Sequence, residues 1–82
     1  MDRSLSPKNI ALLTELEILN FRIAAKLERI GYSDGWEERK KKGNEMRLLV
    51  IEAIRNLELR RFSRVGDALR KLEEFGLTFM NR

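Results

Sequence analysis

The stretch LLTELEILNFRIAAKLERIGY, residues 12–32, decides the fold of this chain. Its large apolar side chains recur every three or four positions, which is the period of an α-helix with one face turned towards a core. Ser6 and Pro7 precede the stretch in the order of a helix cap and a first helical residue. Gly31, near the end of the stretch, provides a left-handed stop. We therefore predict a first helix over about residues 7–30.

This helix carries two apolar faces. The main stripe consists of Leu12, Leu13, Leu16, Leu19, Ile23, Leu27 and Ile30. A smaller group, away from that stripe, consists of Ile10, Ile18, Phe21 and Ala25. Because a single neighbouring helix cannot cover both faces, the pattern predicts packing against more than one partner element.

The sequence predicts a second helix but leaves its first residue open. The capping-box spacing that starts at Asp34 favours a first residue at Trp36. No apolar residue falls between Trp36 and Met46, and this absence favours a later start. Two alternatives therefore stay open, a helix over residues 36–61 and one over residues 45–61.

Near residues 62–63 the helix either breaks or bends, and at a break Ser63 is the expected cap of a third helix. We place this helix over about residues 64–75, with Gly76 as its stop signal. Its single apolar stripe consists of Val65, Ala68, Leu69, Leu72 and Phe75. The fold class predicted for residues 1–82 is all-α: one domain with an antiparallel hairpin of two long helices and a shorter third helix.

The composition of the chain excludes several kinds of chemistry. It has no cysteine and no histidine among its 82 residues, so disulfides, thiolate nucleophiles, imidazole bases and the usual zinc ligands are absent. Its glycines do not form a phosphate-binding loop. We therefore expect no catalytic residues, no cofactor, no metal and no small-molecule substrate. No apolar run has the length of a membrane span, and we expect a cytoplasmic protein.

The basic residues offer one functional hypothesis. Through Gly35 five basic side chains balance five acidic ones, so the whole net charge of +4 arises in the second half of the chain. Cations beside an aromatic side chain are the composition of a nucleic-acid contact. The candidates are Trp36, Arg39, Lys40, Lys41, Lys42 and Arg47, with a second group of Arg60, Arg61 and Arg64. The order of helix, turn and helix around Ser63 also invites comparison with a helix-turn-helix reader.

The second apolar faces offer the other hypothesis, which we favour. Small domains often cover surplus apolar surface by self-association. The candidate interface residues are Leu16, Ile18, Phe21, Ile51, Ile54, Leu59 and Phe62. The sequence thus predicts a non-enzymatic helical interaction or regulatory protein that forms a homodimer, with a protein partner or a nucleic acid as further partners.

Overall fold

The computed structural model describes residues 5–32 and 34–79, and it consists of three helices. Helix α1 is Pro7–Ile30, α2 is Trp36–Glu58 and α3 is Phe62–Glu74. No strand forms in the two described ranges, so the all-α prediction is confirmed. Helix α2 packs against both α1 and α3, and the molecule measures 53 × 20 × 19 Å.

Helix α1 begins as its sequence predicts. The Ser6 side chain accepts a hydrogen bond from the backbone N–H of Asn9 at 3.3 Å, and Pro7 occupies the first helical position. The helix ends at Gly31, whose φ of 58° is positive and whose ψ of −137° lies outside the left-handed helical region. The predicted glycine stop is therefore present, with a more extended continuation than a left-handed residue gives.

Helix α2 is unbroken from Trp36, so the earlier of the two predicted starts is the observed one. Its cap is Gly35, with a φ of 75°, and no side chain caps the first turn; the capping role expected of Asp34 was wrong. The polar stretch before Met46 is helical, and one face of it packs against α1. Gly43 belongs to that face: a β-carbon there would lie 2.6 Å from Cδ2 of Leu27.

The turn between α2 and α3 is a helix stop without glycine. Arg61 donates its backbone N–H to Asn56 at 2.8 Å and Arg60 donates to Leu57 at 3.1 Å, the two bonds of a Schellman motif. The left-handed position belongs to Arg60, at φ 60°. Because Arg60 ends α2 early, α3 begins at Phe62 rather than 64, and the predicted capping role of Ser63 was wrong: it lies inside α3.

The core lies where all three helices meet. Its fully buried large side chains are Leu16, Val50, Leu57 and Leu72. Helix α3 ends in a second Schellman motif, in which Leu77 donates to Leu72 at 3.4 Å and Gly76 has a φ of 90°. Leu77 and Phe79 then pack against the core, so this part of the C-terminal segment is docked on the helices.

Candidate interaction surfaces

The four consecutive cations of α2 do not form one patch. Neighbouring residues of an α-helix point about 100° apart, so a run of four side chains surrounds the helix. Arg39 and Lys42 point towards a groove shared with α1, whereas Lys40 lines a cavity on another side of the helix pair together with Arg47. Lys41 is exposed and lines neither. The run therefore divides between two surfaces.

The groove that receives Arg39 and Lys42 has a volume of about 480 Å³ and lies between α1 and α2. We call it the basic groove. Its floor is apolar and its rim is cationic. The large apolar side chains that line it are Ile23, Leu27, Ile30 and Met46. The cations that line it are Lys26, Arg29, Arg39 and Lys42, and no acidic side chain of residues 5–32 and 34–79 does so.

Sequence reasoning missed two members of this rim, Lys26 and Arg29. Each stands alone in an otherwise mixed part of α1, so composition does not mark it. The available signal is spacing: the two residues are three apart, as are Arg39 and Lys42 on α2. Once α1 and α2 are taken as an antiparallel hairpin with a short turn, both pairs lie near the turn and face each other.

An aromatic pair marks the hairpin turn. The Tyr32 and Trp36 rings meet edge to face, with centroids 5.0 Å apart and an interplanar angle of 78°. The Lys40 ammonium lies 5.2 Å from the Trp36 centroid and 5.5 Å from that of Tyr32. Tyr32 is 84% exposed and Trp36 is half-buried. Lys40, one of the cations expected to contact phosphate, therefore makes cation–π contacts with both rings.

The surroundings of this aromatic pair are acidic. The cavity beside Tyr32 and Trp36 is also lined by Asp34, Glu37 and Glu38. Three carboxylates next to a stacking platform oppose the approach of a phosphate backbone. This arrangement weakens the nucleic-acid hypothesis at Trp36.

The second basic group lies at the other end of α2. Arg60 donates from its guanidinium to the Glu58 carbonyl at 3.2 Å, and Arg61 precedes α3. Arg60, Arg61 and Arg64 are exposed. At 1.5 Å per residue, the run that starts at Arg39 and the group at Arg60 are about 30 Å apart along α2. The structure does not bring the two predicted basic groups together.

The comparison with a helix-turn-helix reader is not supported by the packing of α3. Lys42, near the beginning of α2, lies 5.9 Å from the ring of Phe75 at the end of α3. Helix α3 therefore returns along α2, whereas the two helices of a helix-turn-helix cross at a steep angle. Its exposed face also carries an ion pair between Arg70 and Asp67, which places a carboxylate beside one of the cations of α3.

One of the predicted interface residues belongs to the core. Leu16 has no exposed surface, so the prediction for it was wrong: its position in the main stripe of α1 faces the neighbouring helices. Ile54 is half-buried against the core cluster and keeps some exposed surface, so its place in an interface stays a prediction. The other five are exposed by 43–77%: Ile18, Phe21, Ile51, Leu59 and Phe62.

Three exposed apolar side chains were not among the predicted interface residues. They are Ile10, Tyr32 and Leu48, exposed by 49%, 84% and 67%. Helical spacing marks Leu48, because it is two positions from the buried Val50 and so lies about 200° around the helix from it. Leu48 and Ile51 share a shallow cavity with Asn44 and Arg47. Arg47 also donates to the Asn20 side chain at 3.4 Å, which ties it to α1.

No group of three or more acidic side chains able to hold a metal ion occurs within residues 5–32 and 34–79. In the same part of the chain, no helix is long and apolar enough to cross a membrane. Comparisons with protein families, with curated proteins and with solved structures found no match to this chain. The fold and its surfaces therefore define only a class: an all-α three-helix protein with exposed apolar faces and one basic groove.

Proposed function

We propose that this chain is a non-enzymatic helical interaction protein that forms a homodimer through the outer apolar surface of its two long helices. One observation carries the proposal: Phe21 of α1 is 77% exposed and Leu48 of α2 is 67% exposed, although both helices have a complete core face. Leu48 also shares a shallow cavity with Ile51, which is 43% exposed. Exposed apolar side chains that lie together mark surfaces that become buried on association.

The energetic reasoning follows from area. Each large apolar side chain contributes about 1.5–3 kcal/mol when it moves from water into an apolar contact. A symmetric dimer buries every such residue twice, once from each copy. Phe21, Leu48 and Ile51 therefore contribute six exposed apolar side chains to a symmetric interface, and their burial opposes an association cost of about 4–15 kcal/mol.

A nucleic-acid-binding function is the alternative, and the arrangement of charges supports it less. The predicted cations are divided between two surfaces near the hairpin turn and a third site about 30 Å away along α2. Carboxylates line the cavity beside the aromatic pair of Tyr32 and Trp36. Burial of apolar side chains, by contrast, does not require cations to be gathered on one surface.

The test compares single substitutions by multi-angle light scattering after size exclusion. Phe21→Gln and Leu48→Gln remove apolar surface at exposed positions, so the folded chain is expected to persist while the dimer dissociates. The matched controls are Arg22→Gln and Glu45→Gln, which are exposed neighbours on the same helices. We expect both controls to keep the mass of the unaltered chain.

Two results would count against the proposal. One is a monomeric mass for the unaltered chain at every concentration tested. The other is a dimer whose mass is unaffected by the Phe21 and Leu48 substitutions together, which would place the interface elsewhere. Fluorescence anisotropy with labelled DNA and RNA tests the alternative, a nucleic-acid-binding function. Binding through phosphate contacts should fall steeply as salt rises.

A further inference from the structure

The basic groove lies next to the end of α3. Helix α3 packs against α2, its apolar side chains join the core cluster, and the chain then turns at Gly76. Residues 76–79 share a cavity with Ile18 and Arg22 of α1, so the chain leaves along α1 away from the hairpin turn. Lys42 lies beside the ring of Phe75 and also lines the groove. The groove therefore begins where α3 ends.

The floor of the groove is an extension of the core. Ile23 is buried within the core cluster, and Leu27 and Met46 are half-buried side chains packed against it. Ile30 extends this apolar strip to the end of α1. Leu69 and Leu72 of α3 are buried in the same core cluster, so an apolar helix face already packs against this core. A second apolar helix face fits the exposed strip in the groove for the same reason.

The cations on the rim of the basic groove favour a negatively charged occupant. Lys26 and Arg29 stand on the α1 side, and Arg39 and Lys42 stand on the α2 side, three residues apart in each pair. Carboxylates three or four positions apart along a helix have the matching spacing. Because no acidic side chain from the described part of the chain lines the groove, an occupant with carboxylates on both flanks of an apolar stripe meets attraction on both sides.

We propose that the basic groove binds an acidic amphipathic helix of a partner protein, seated end to end with α3. Its apolar stripe covers the floor and its carboxylates face the two pairs of cations, in the helix-in-groove manner. The apolar floor distinguishes this occupant from a nucleic acid, whose backbone needs cations and hydrogen-bond donors across its whole footprint. The proposal goes beyond self-association, since it concerns a different surface and a different partner.

The first experiment uses synthetic peptides and the full chain. One labelled peptide of about 14 residues, close to four helical turns, carries leucine at helical spacing with glutamate on both flanks. Its counterpart has every glutamate replaced by glutamine. Measured by fluorescence anisotropy, the acidic peptide is expected to bind at least about fivefold more tightly at low salt, with the difference shrinking as salt rises. Equal affinity for the two peptides, or binding of neither, would overturn the proposal.

The second experiment places the peptide in the groove. Lys42→Glu reverses a rim charge, and Lys41→Glu makes the same change on an adjacent exposed residue outside the groove. We expect the Lys42 substitution to weaken binding about five- to tenfold and the Lys41 substitution less than about twofold. Circular dichroism confirms that both variants keep the helix content of the unaltered chain.

Other outcomes of the second experiment contradict the proposal. If Lys41→Glu and Lys42→Glu weaken peptide binding equally, the loss of affinity would reflect net charge and not contact with the groove. Single-stranded RNA or duplex DNA that binds more tightly than the acidic peptide, with the same sensitivity to Lys42→Glu, would assign the groove to nucleic acid. The oligomeric state measured for the same samples decides the dimer proposal separately, so failure of one does not imply failure of the other.

Discussion

Gly43 of α2 stands so close to Leu27 of α1 that a β-carbon at position 43 would lie 2.6 Å from Cδ2 of the leucine and 3.2 Å from its Cγ. Atoms cannot remain at the first of these distances, so any side chain at position 43 displaces Leu27. The glycine, which weakens α2 in isolation, therefore allows the two long helices to approach beside the basic groove. Helix propensity and interhelical packing act in opposite directions at this position.

We predict that Gly43→Ala behaves differently in two backgrounds. Alanine in place of a helical glycine gains about 1 kcal/mol. In the unaltered chain the forced shift of Leu27 costs about 1–3 kcal/mol, so stability should be unchanged or reduced. In a Leu27→Ala background the gain of about 1 kcal/mol should be recovered. Urea unfolding followed by the fluorescence of the single tryptophan measures each free energy.

Gly66 provides the control for the comparison of Gly43→Ala in the two backgrounds. It is also inside a helix, α3, and a β-carbon there would meet nothing within 4 Å. Gly66→Ala should therefore stabilise the chain by about 0.5–1 kcal/mol. Equal effects of Gly43→Ala with and without Leu27 would contradict the packing explanation.

The left-handed backbone at Arg60 predicts a stabilising substitution. A residue with a β-carbon in this conformation costs about 1–2 kcal/mol, and glycine does not carry that cost. After the entropy that glycine adds to the unfolded chain, Arg60→Gly should raise the free energy of unfolding by about 0.5–1 kcal/mol. Thermal and urea unfolding measure this change.

Arg60→Ala is the companion variant for the α2–α3 turn. It removes the same guanidinium and its bond to the Glu58 carbonyl but keeps a β-carbon in the left-handed region. We expect no gain in stability from alanine. A stabilisation by alanine equal to that by glycine would show that the side chain, and not the backbone, is the source of the effect.

Neighbouring positions of α1 should respond very differently to truncation. Leu16 is fully buried and Ile18 is 48% exposed, because two residues span about 200° of the helix. Leu16→Ala should cost about 2–5 kcal/mol of stability, whereas Ile18→Ala should cost less than about 1 kcal/mol in the monomer. Urea unfolding at low protein concentration makes the comparison, and similar losses at the two positions would contradict the observed orientation of α1.

Local signals in the sequence predicted most of the fold. Ser6, Pro7 and Gly76 act at their expected ends, because a cap or stop depends on a few adjacent residues. The turn at Arg60 was not predictable in the same way, since its motif normally has a glycine. The sequence leaves the start of α2 open because no apolar residue lies between Trp36 and Met46. The close approach of Gly43 to Leu27 shows that this part of the helix packs against α1.

The candidate surfaces were predictable only in part. The sequence shows a run of four cations. That Arg39 and Lys42 line one surface and Lys40 another follows only once the run is known to be helical, with 100° between successive residues. The opposite wall of the groove, with Lys26 and Arg29, depends on the register between α1 and α2. Likewise, both apolar stripes are visible in the sequence, but only the packing of three helices determines that Leu16 is buried and Phe21 is exposed.

The most direct test of the central claim is sedimentation velocity of the unaltered chain from about 1 µM to about 300 µM, a range that detects association down to weak affinities. The proposed homodimer predicts a shift with concentration towards twice the 9.7 kDa mass of one chain. Because apolar contacts drive it, the shift should persist at high salt. A single species of 9.7 kDa across the whole range would contradict self-association through the exposed faces of α1 and α2.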